Sequence, residues 1–244
     1  MIAQIQAELL KIRSTRTTLG LLLGMVGLVL LTVLLTGLLS AAGSLTDKQN
    51  QLGLLGDGGL AGIFAALAGI LLVTSEYRFG TIRPTFLFTP RRARVITSKV
   101  VAGVLAGLAF GILGEGLGFC IGYAILNGRG IPIALGGGDV TLLLVGTLIG
   151  VALWGAIGVG LGAIVQNQIG AVITLLAWGF VAENLLFAFV PSVGRFAPVH
   201  AQNAMIGDTT SHLLSPAAGA AIFISWTALL GAAGFALNLR RDVT

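Results

Sequence analysis

Six long apolar runs leave this sequence little freedom in what it folds into. They cover about residues 19–40, 58–75, 100–126, 140–164, 169–190 and 217–238. No charged residue occurs between Arg16 and Asp47. A helix crossing the hydrocarbon core of a bilayer needs about 20 such residues, and each run is close to that length or longer. Only 9% of the 244 residues are charged, against roughly 25% in a soluble domain. In water such a chain would expose apolar surface and aggregate; its natural solvent is lipid. The runs are continuous, not alternating. That selects helices over a barrel, with each backbone polar group satisfied inside its own segment. The expected fold class is all-α, an integral membrane six-helix bundle that uses residues 1–244 as a single transmembrane domain.

The basic residues give the expected orientation. Lys11, Arg13 and Arg16 precede the first run. Arg78, Arg83, Arg91, Arg92, Arg94 and Lys99 fall between the second and third, and Arg240 and Arg241 follow the sixth. With six spans these 11 share one side, and only Lys48, Arg129 and Arg195 fall on the other. Cytoplasmic segments hold the excess of Lys and Arg, so both termini are expected in the cytoplasm. The formal charge of +5 follows from that bias, and no nucleic-acid partner is expected. Residues 41–57 and 191–216 are then external loops.

Residues 1–17 place Ile2, Ile5, Leu9 and Ile12 near one helical face, with Gln4, Glu8, Lys11 and the arginines elsewhere. This pattern predicts a helix lying in the membrane interface; the alternative is a cytoplasmic extension of the first span. The charges rule against a cleavable signal peptide. Glycines recur every four residues at Gly103, Gly107 and Gly111, at Gly114, Gly118 and Gly122, and at Gly146/Gly150 and Gly158/Gly162. Small faces of this kind let helix backbones approach closely. They predict a tightly packed bundle or a dimer seam, set against the glycine enrichment general to transmembrane helices.

Residues 76–99 form a cytoplasmic loop with a mixed character. A polar break at Gly80–Thr81 precedes a piece holding Ile82, Phe86, Leu87 and Phe88, apolar residues that need a cover of lipid or protein. Thr89–Pro90 is an N-cap and first-turn pair for a helix that runs into the third span. The pattern Glu76-x-x-x-Gly80-Thr81, followed by Pro90-x-Arg92 and Lys99, resembles the loop of type 2 ABC transporter permeases, the membrane subunits of bacterial exporters. The likeness extends to the N-terminal helix, the six spans and the long loop before the last span. It implies a coupling helix that docks on a separate ATP-binding cassette subunit. Glu76, Arg78, Phe79, Gly80, Thr81, Ile82, Arg83, Phe86 and Phe88 would make that contact. It further implies pairing with a second permease chain, identical or related, and residence in a bacterial inner membrane among its lipids. No G-x-x-x-x-G-K-[ST] phosphate loop occurs. The chain itself is therefore expected to be no enzyme, with no catalytic residue, cofactor or metal of its own. ATP and Mg would sit on the partner.

Three polar residues inside the runs are candidates for a substrate pathway: Glu115, flanked by Gly114 and Gly116, and the pair Glu183 and Asn184. A carboxylate at mid-bilayer is costly and commonly marks function; the alternative is a hydrogen-bonded structural acid. Glu115 also supports a second reading, a proton- or cation-coupled secondary transporter. A third is an interaction or assembly protein without transport. His200 and His212 are read as solvated loop residues, Trp154, Trp178 and Trp226 as packing or interface anchors, and Cys120 as a small buried hydrophobe.

Overall fold

The computed structural model describes residues 1–82, 84 and 92–240, and no strand occurs among them. Helix α1 (Ile2–Ser14) ends at Thr15, whose extended backbone turns the chain into α2 (Arg16–Leu39). A short 3-10 turn (Ser44–Thr46) leads to α3 (Lys48–Leu55), capped by the Asp47 carboxylate accepting from the Gln49 N–H. A second 3-10 turn (Asp57–Leu60) feeds α4 (Ala61–Arg78). Next come α5 (Arg92–Gly128) and α6 (Gly137–Val165). Gln166, at φ +56°, closes α6, and Asn167 caps α7 (Gln168–Ala177) by accepting from the Gly170 N–H. A π-helical turn (Trp178–Ala182) continues into α8 (Glu183–Phe189). Two short helices, α9 (Pro191–Gly194) and α10 (Pro198–Met205), precede α11 (Pro216–Arg240).

Among the described residues, six helical stretches are long and apolar enough to cross a membrane: Arg16–Leu39, Asp57–Arg78, Ala93–Gly128, Gly137–Val165, Gln168–Phe189 and Pro216–Asn238. This is the all-α, multi-pass architecture expected. Helix α5 has 37 residues and is therefore about 55 Å long at 1.5 Å per residue. It overruns a bilayer core by several turns, as the extra length of the third run suggested. Helix α1 and the last turns of α11 lie at the same end of the bundle, since the side chain of Lys99 reaches Glu8 and that of Tyr77 reaches Asn238.

Side-chain size sorts the spans into an inner and an outer set. In α4, α5 and α6 more than half of each apolar window is buried; in the other three spans the share is 17% or less. The inner helices carry Ala and Gly at their crossings. A methyl group on Gly103 would lie 2.8 Å from the Gly155 carbonyl oxygen, and one on Gly162 3.0 Å from the Ile70 carbonyl oxygen. Backbones meet there directly, which only small residues allow. The glycine stripes are thus seams within one chain. Helix α2, by contrast, turns Leu19, Leu23, Leu31 and Leu38 outward, and buries only a narrow face through Met25, Val29 and Val33.

The structure corrects two expectations. The stretches 41–57 and 191–216 are not open loops: each folds into short helices packed on the bundle. Cys120 is exposed on the outer face of α5, not buried. The fifth span is helical over Gln168–Phe189 as expected, with a π turn inside it.

The short helices at the far end are held by side-chain clamps. Gln51, fully buried on α3, donates to the carbonyls of Leu45 (2.9 Å) and Pro132 (2.8 Å) and accepts from the Ala134 N–H (2.8 Å). Arg129 donates to the Gly37 and Ser40 carbonyls, satisfying the open C-terminus of α2. Lys48 pairs with Asp139 at 2.8 Å. Gln51→Leu would strand three backbone groups at once. We expect it to cost about 3 kcal/mol, read as a fall in the thermal midpoint of the purified protein, with Arg13→Ala, an exposed residue of α1, as an unaffected control.

Candidate functional site

Two regions concentrate the buried polar chemistry. The first lies at the root of the segment that follows α4. Glu8 of α1, Glu76 in the last turn of α4 and Lys99 in the second turn of α5 are each 5% exposed or less. Lys99 Nζ donates to Glu8 Oε2 (3.0 Å), Glu76 Oε1 (2.8 Å) and the Leu72 carbonyl (2.9 Å). An ammonium has three protons, and here all three are used. Lys11, half-exposed, bridges the same two acids at 3.0 Å and 2.6 Å. Burial works against the charge of Lys11, but hydrogen bonding and attraction from Glu76 and Glu8 outweigh it and hold its ammonium above the ordinary lysine range. Two carboxylates and two ammonium groups balance, which lets the cluster sit out of water.

The next two residues continue the pattern. Tyr77 Oη donates to Asn238 Oδ1 of α11 at 2.6 Å and accepts from Gln166 Nε2 at the end of α6 at 2.9 Å. Arg78 donates to Gln168 Oε1 of α7 at 3.2 Å. Three consecutive residues thus tie the end of α4 to α1, α5, α6, α7 and α11. Beyond them Phe79 is 71% exposed and its ring lies under the Arg78 guanidinium. Gly80 takes φ +69° in open space, a conformation glycine adopts without strain. Thr81 is exposed and Ile82 is buried. Arg83, Phe86 and Phe88, with the remainder of the expected coupling helix, lie outside the described residues. Glu76, expected at a partner surface, is instead inside the bundle, so any contact there falls to its neighbours.

The second region surrounds the 3-10 turn Asp57–Leu60. Glu115 is 2% exposed, and neither of its carboxylate oxygens has a hydrogen-bond partner. The turn crosses directly over it: a methyl on Gly58 would overlap the Glu115 backbone, and one on Gly118 would lie 2.9 Å from the Gly58 nitrogen. Asp57 is near enough to act on Glu115 electrostatically, and its own Oδ2 is buried without a partner. On the other side of Asp57 a cavity of about 310 Å³ lies between the turn, α6, the fifth span and α10. Trp154, Gln202, Asn203 and Asn184 border it. The indole N–H of Trp154 donates to Gln202 Oε1, and its ring packs on Phe223 at 5.5 Å.

Of the three residues expected on a substrate pathway, the structure puts Asn184 on this cavity and Glu115 behind it. Asn184 donates to the carbonyls of Gly179 (3.2 Å) and Phe180 (3.1 Å), acceptors in the π turn. Glu183 points elsewhere. It is fully buried, and its Oε2 accepts from the Val199 N–H at 2.8 Å, one of the open donors at the N-terminus of α10. Its Oε2 caps that helix, and its Oε1 is buried without a hydrogen-bond partner. His200, expected in solvent, is 7% exposed and stacks on Phe187 with ring centroids 4.1 Å apart; burial holds its imidazole below the usual range. Sequence reading names Trp154 only as a packing or interface anchor, and misses Asp57, Gln202 and Asn203. For Asp57 a signal existed: an acid inside Gly56-Asp57-Gly58-Gly59 at the mouth of a span. For the others none did, because their meeting depends on how 191–216 folds.

These features define a multi-pass helical membrane protein with a buried charge cluster at one end and an acid-bordered cavity toward the other. Compared with protein-family models and with curated proteins, the chain has no match.

Proposed function

We propose that this chain is the membrane-spanning permease subunit of an ATP-driven exporter. It would work as a pair of permease chains and be driven by separate ATP-binding subunits. The observation that carries the reading is the anchoring of Glu76, Tyr77 and Arg78 to five other helices. A push delivered to the segment after Arg78 would be passed to all of them, as a coupling element requires. The exposed, cation-backed Phe79 and the open Gly80 suit a docking surface. On this reading α1 lies along the cytoplasmic interface and both termini are cytoplasmic. The test is purification of the tagged chain from its host in mild detergent, with identification of what accompanies it. A stoichiometric subunit bearing a phosphate-loop motif is expected, and its loss with Phe79→Asp, a change at an exposed position that spares the buried cluster. A chain that purifies alone under conditions that keep other complexes intact counts against the proposal.

One observation favours a second reading, a proton- or cation-coupled secondary transporter: Glu115 is buried with both oxygens unpartnered and Asp57 beside it. In proteoliposomes without any partner, a proton gradient would then drive uptake, and Glu115→Gln would abolish it.

A further inference from the structure

The cavity at the fifth span has the dimensions of a binding site. At about 310 Å³ it falls within the range of small-molecule sites, roughly 300–1,000 Å³. Its walls are apolar for the most part, with Leu60, Ile63, Leu175 and Phe180 among them. Among the described residues one charged residue borders it, Asp57, and no basic residue does. Asp57 is partly buried; the Thr32 hydroxyl lies at its carboxylate, and its Oδ2 atom has no hydrogen-bond partner among the described residues. A carboxylate oxygen withdrawn from water without a donor is costly, and an incoming ammonium would satisfy it. The polar neighbours are partly spent already, since the Asn184 amide serves the π turn and Gln202 Oε1 serves Trp154. Asp57 also borders a second, open cavity of about 490 Å³ lined by Thr36, Ser40, Gln49 and Asn50. A charged head group therefore has a polar approach on one side of Asp57 and an apolar chamber on the other. Glycine keeps the chamber open: a side chain at Gly179 would meet only a Val199 methyl, at 3.9 Å.

We propose that the cavity between the Asp57–Leu60 turn, α6, the fifth span and α10 binds a small amphipathic amine. Its ammonium sits on Asp57, and its apolar body lies against Leu60, Ile63 and Phe180. An anionic ligand is disfavoured by Asp57, and a polyhydroxylated one would find few free donors. That this amine is also the transported molecule rests on the permease reading; the binding does not.

The experiment uses the full chain in phosphatidylcholine nanodiscs and two fluorescent probes of similar size. One is 5-(dansylamino)pentylammonium, the other 6-(dansylamino)hexanoate. Energy transfer from the protein's tryptophans to dansyl reports binding. Saturable transfer is expected for the amine and none for the carboxylate. Asp57→Asn should weaken amine binding about tenfold or more by removing the opposite charge. Gly179→Leu should block it by filling the chamber. Equal binding of both probes, or undiminished amine binding by a folded Asp57→Asn protein, would overturn the proposal. If Asp57→Asn does not fold, the two-probe comparison and Gly179→Leu still decide. Displacement of the amine probe by added phosphatidylethanolamine would assign the site to a lipid amine, and its retention to a soluble amphiphile; both uphold the site. No ATPase takes part, so a negative result here leaves the subunit-capture test of the permease reading untouched.

Discussion

Lys99→Met is expected to destabilise the protein by about 3–5 kcal/mol, the loss seen when one member of a buried ion pair is removed. The substitution keeps the length of the side chain and deletes only its charge and its three donors. Glu8 Oε2 and the Leu72 carbonyl would lose their donor to Lys99, and Glu76 Oε1 would keep Lys11 alone. Lys11 cannot take over, because it already bridges both acids and is half in water. The measurement is the thermal midpoint and the monodisperse fraction in detergent. The double variant Lys99→Met with Glu76→Gln should lose less than the two single variants added together, since the second change removes a charge that the first left stranded. Strict additivity would show that the cluster is not acting as a unit. A loss confined to partner binding, with stability intact, would mean that the cluster is built for docking and not for holding α1, α4 and α5 together.

Much of this architecture could be read from the residue order, for a physical reason. In lipid, each span must satisfy its backbone alone, so composition over about 20 residues decides the element without reference to the rest of the chain. The expected 19–40 and 140–164 accordingly fall within one to three residues of Arg16–Leu39 and Gly137–Val165. Helix α5 starts well before its apolar run, because nothing in residues 92–99 breaks a helix and Lys99 finds its charge satisfied inside the bundle. What depends on pairing between distant segments was not legible. The Glu8–Glu76–Lys99 cluster needs three elements at one end. Glu76 and Lys99 were noticed as parts of a motif, but nothing in their spacing places Glu8 between them. The π turn at Trp178–Ala182 has no sequence mark beyond Gly179 and the Asn184 that serves its carbonyls. His200 reads as solvated because 191–216 reads as the external loop before the sixth span. In the fold, Pro191 and Pro198 each start a short helix, and Glu183 caps the second. Once α10 is laid on α6, with Gly150 against Gln202 and Gly146 against Met205 and Ile206, the cavity and its polar rim follow.

The glycine stripes pose the sharper question, whether glycine is required or merely abundant in a membrane helix, and the structure answers it position by position. At Gly155 a methyl would fall inside the van der Waals envelope of the Gly103 carbonyl oxygen, while one on the facing Gly69 would strike the carbonyl oxygen of Gly155 itself. Three inner helices cross here, backbone on backbone, and none can retreat without opening the others. At Gly27 on α2 a methyl would meet nothing within 4 Å. Gly155→Val is therefore expected to cost about 3 kcal/mol or more by overpacking, and to leave little folded protein in the membrane fraction. Gly27→Val should stay within about 0.5 kcal/mol of the parent, as surface substitutions do. Thermal midpoints of the two variants, purified side by side, decide the matter. Equal losses would mean that glycine serves these helices only by its backbone freedom. A large loss at Gly155 alone would locate the close approach of α4, α5 and α6 as the joint on which the bundle is assembled. The charge cluster at one end and the amine cavity toward the other would then be carried on the same three rigidly packed helices.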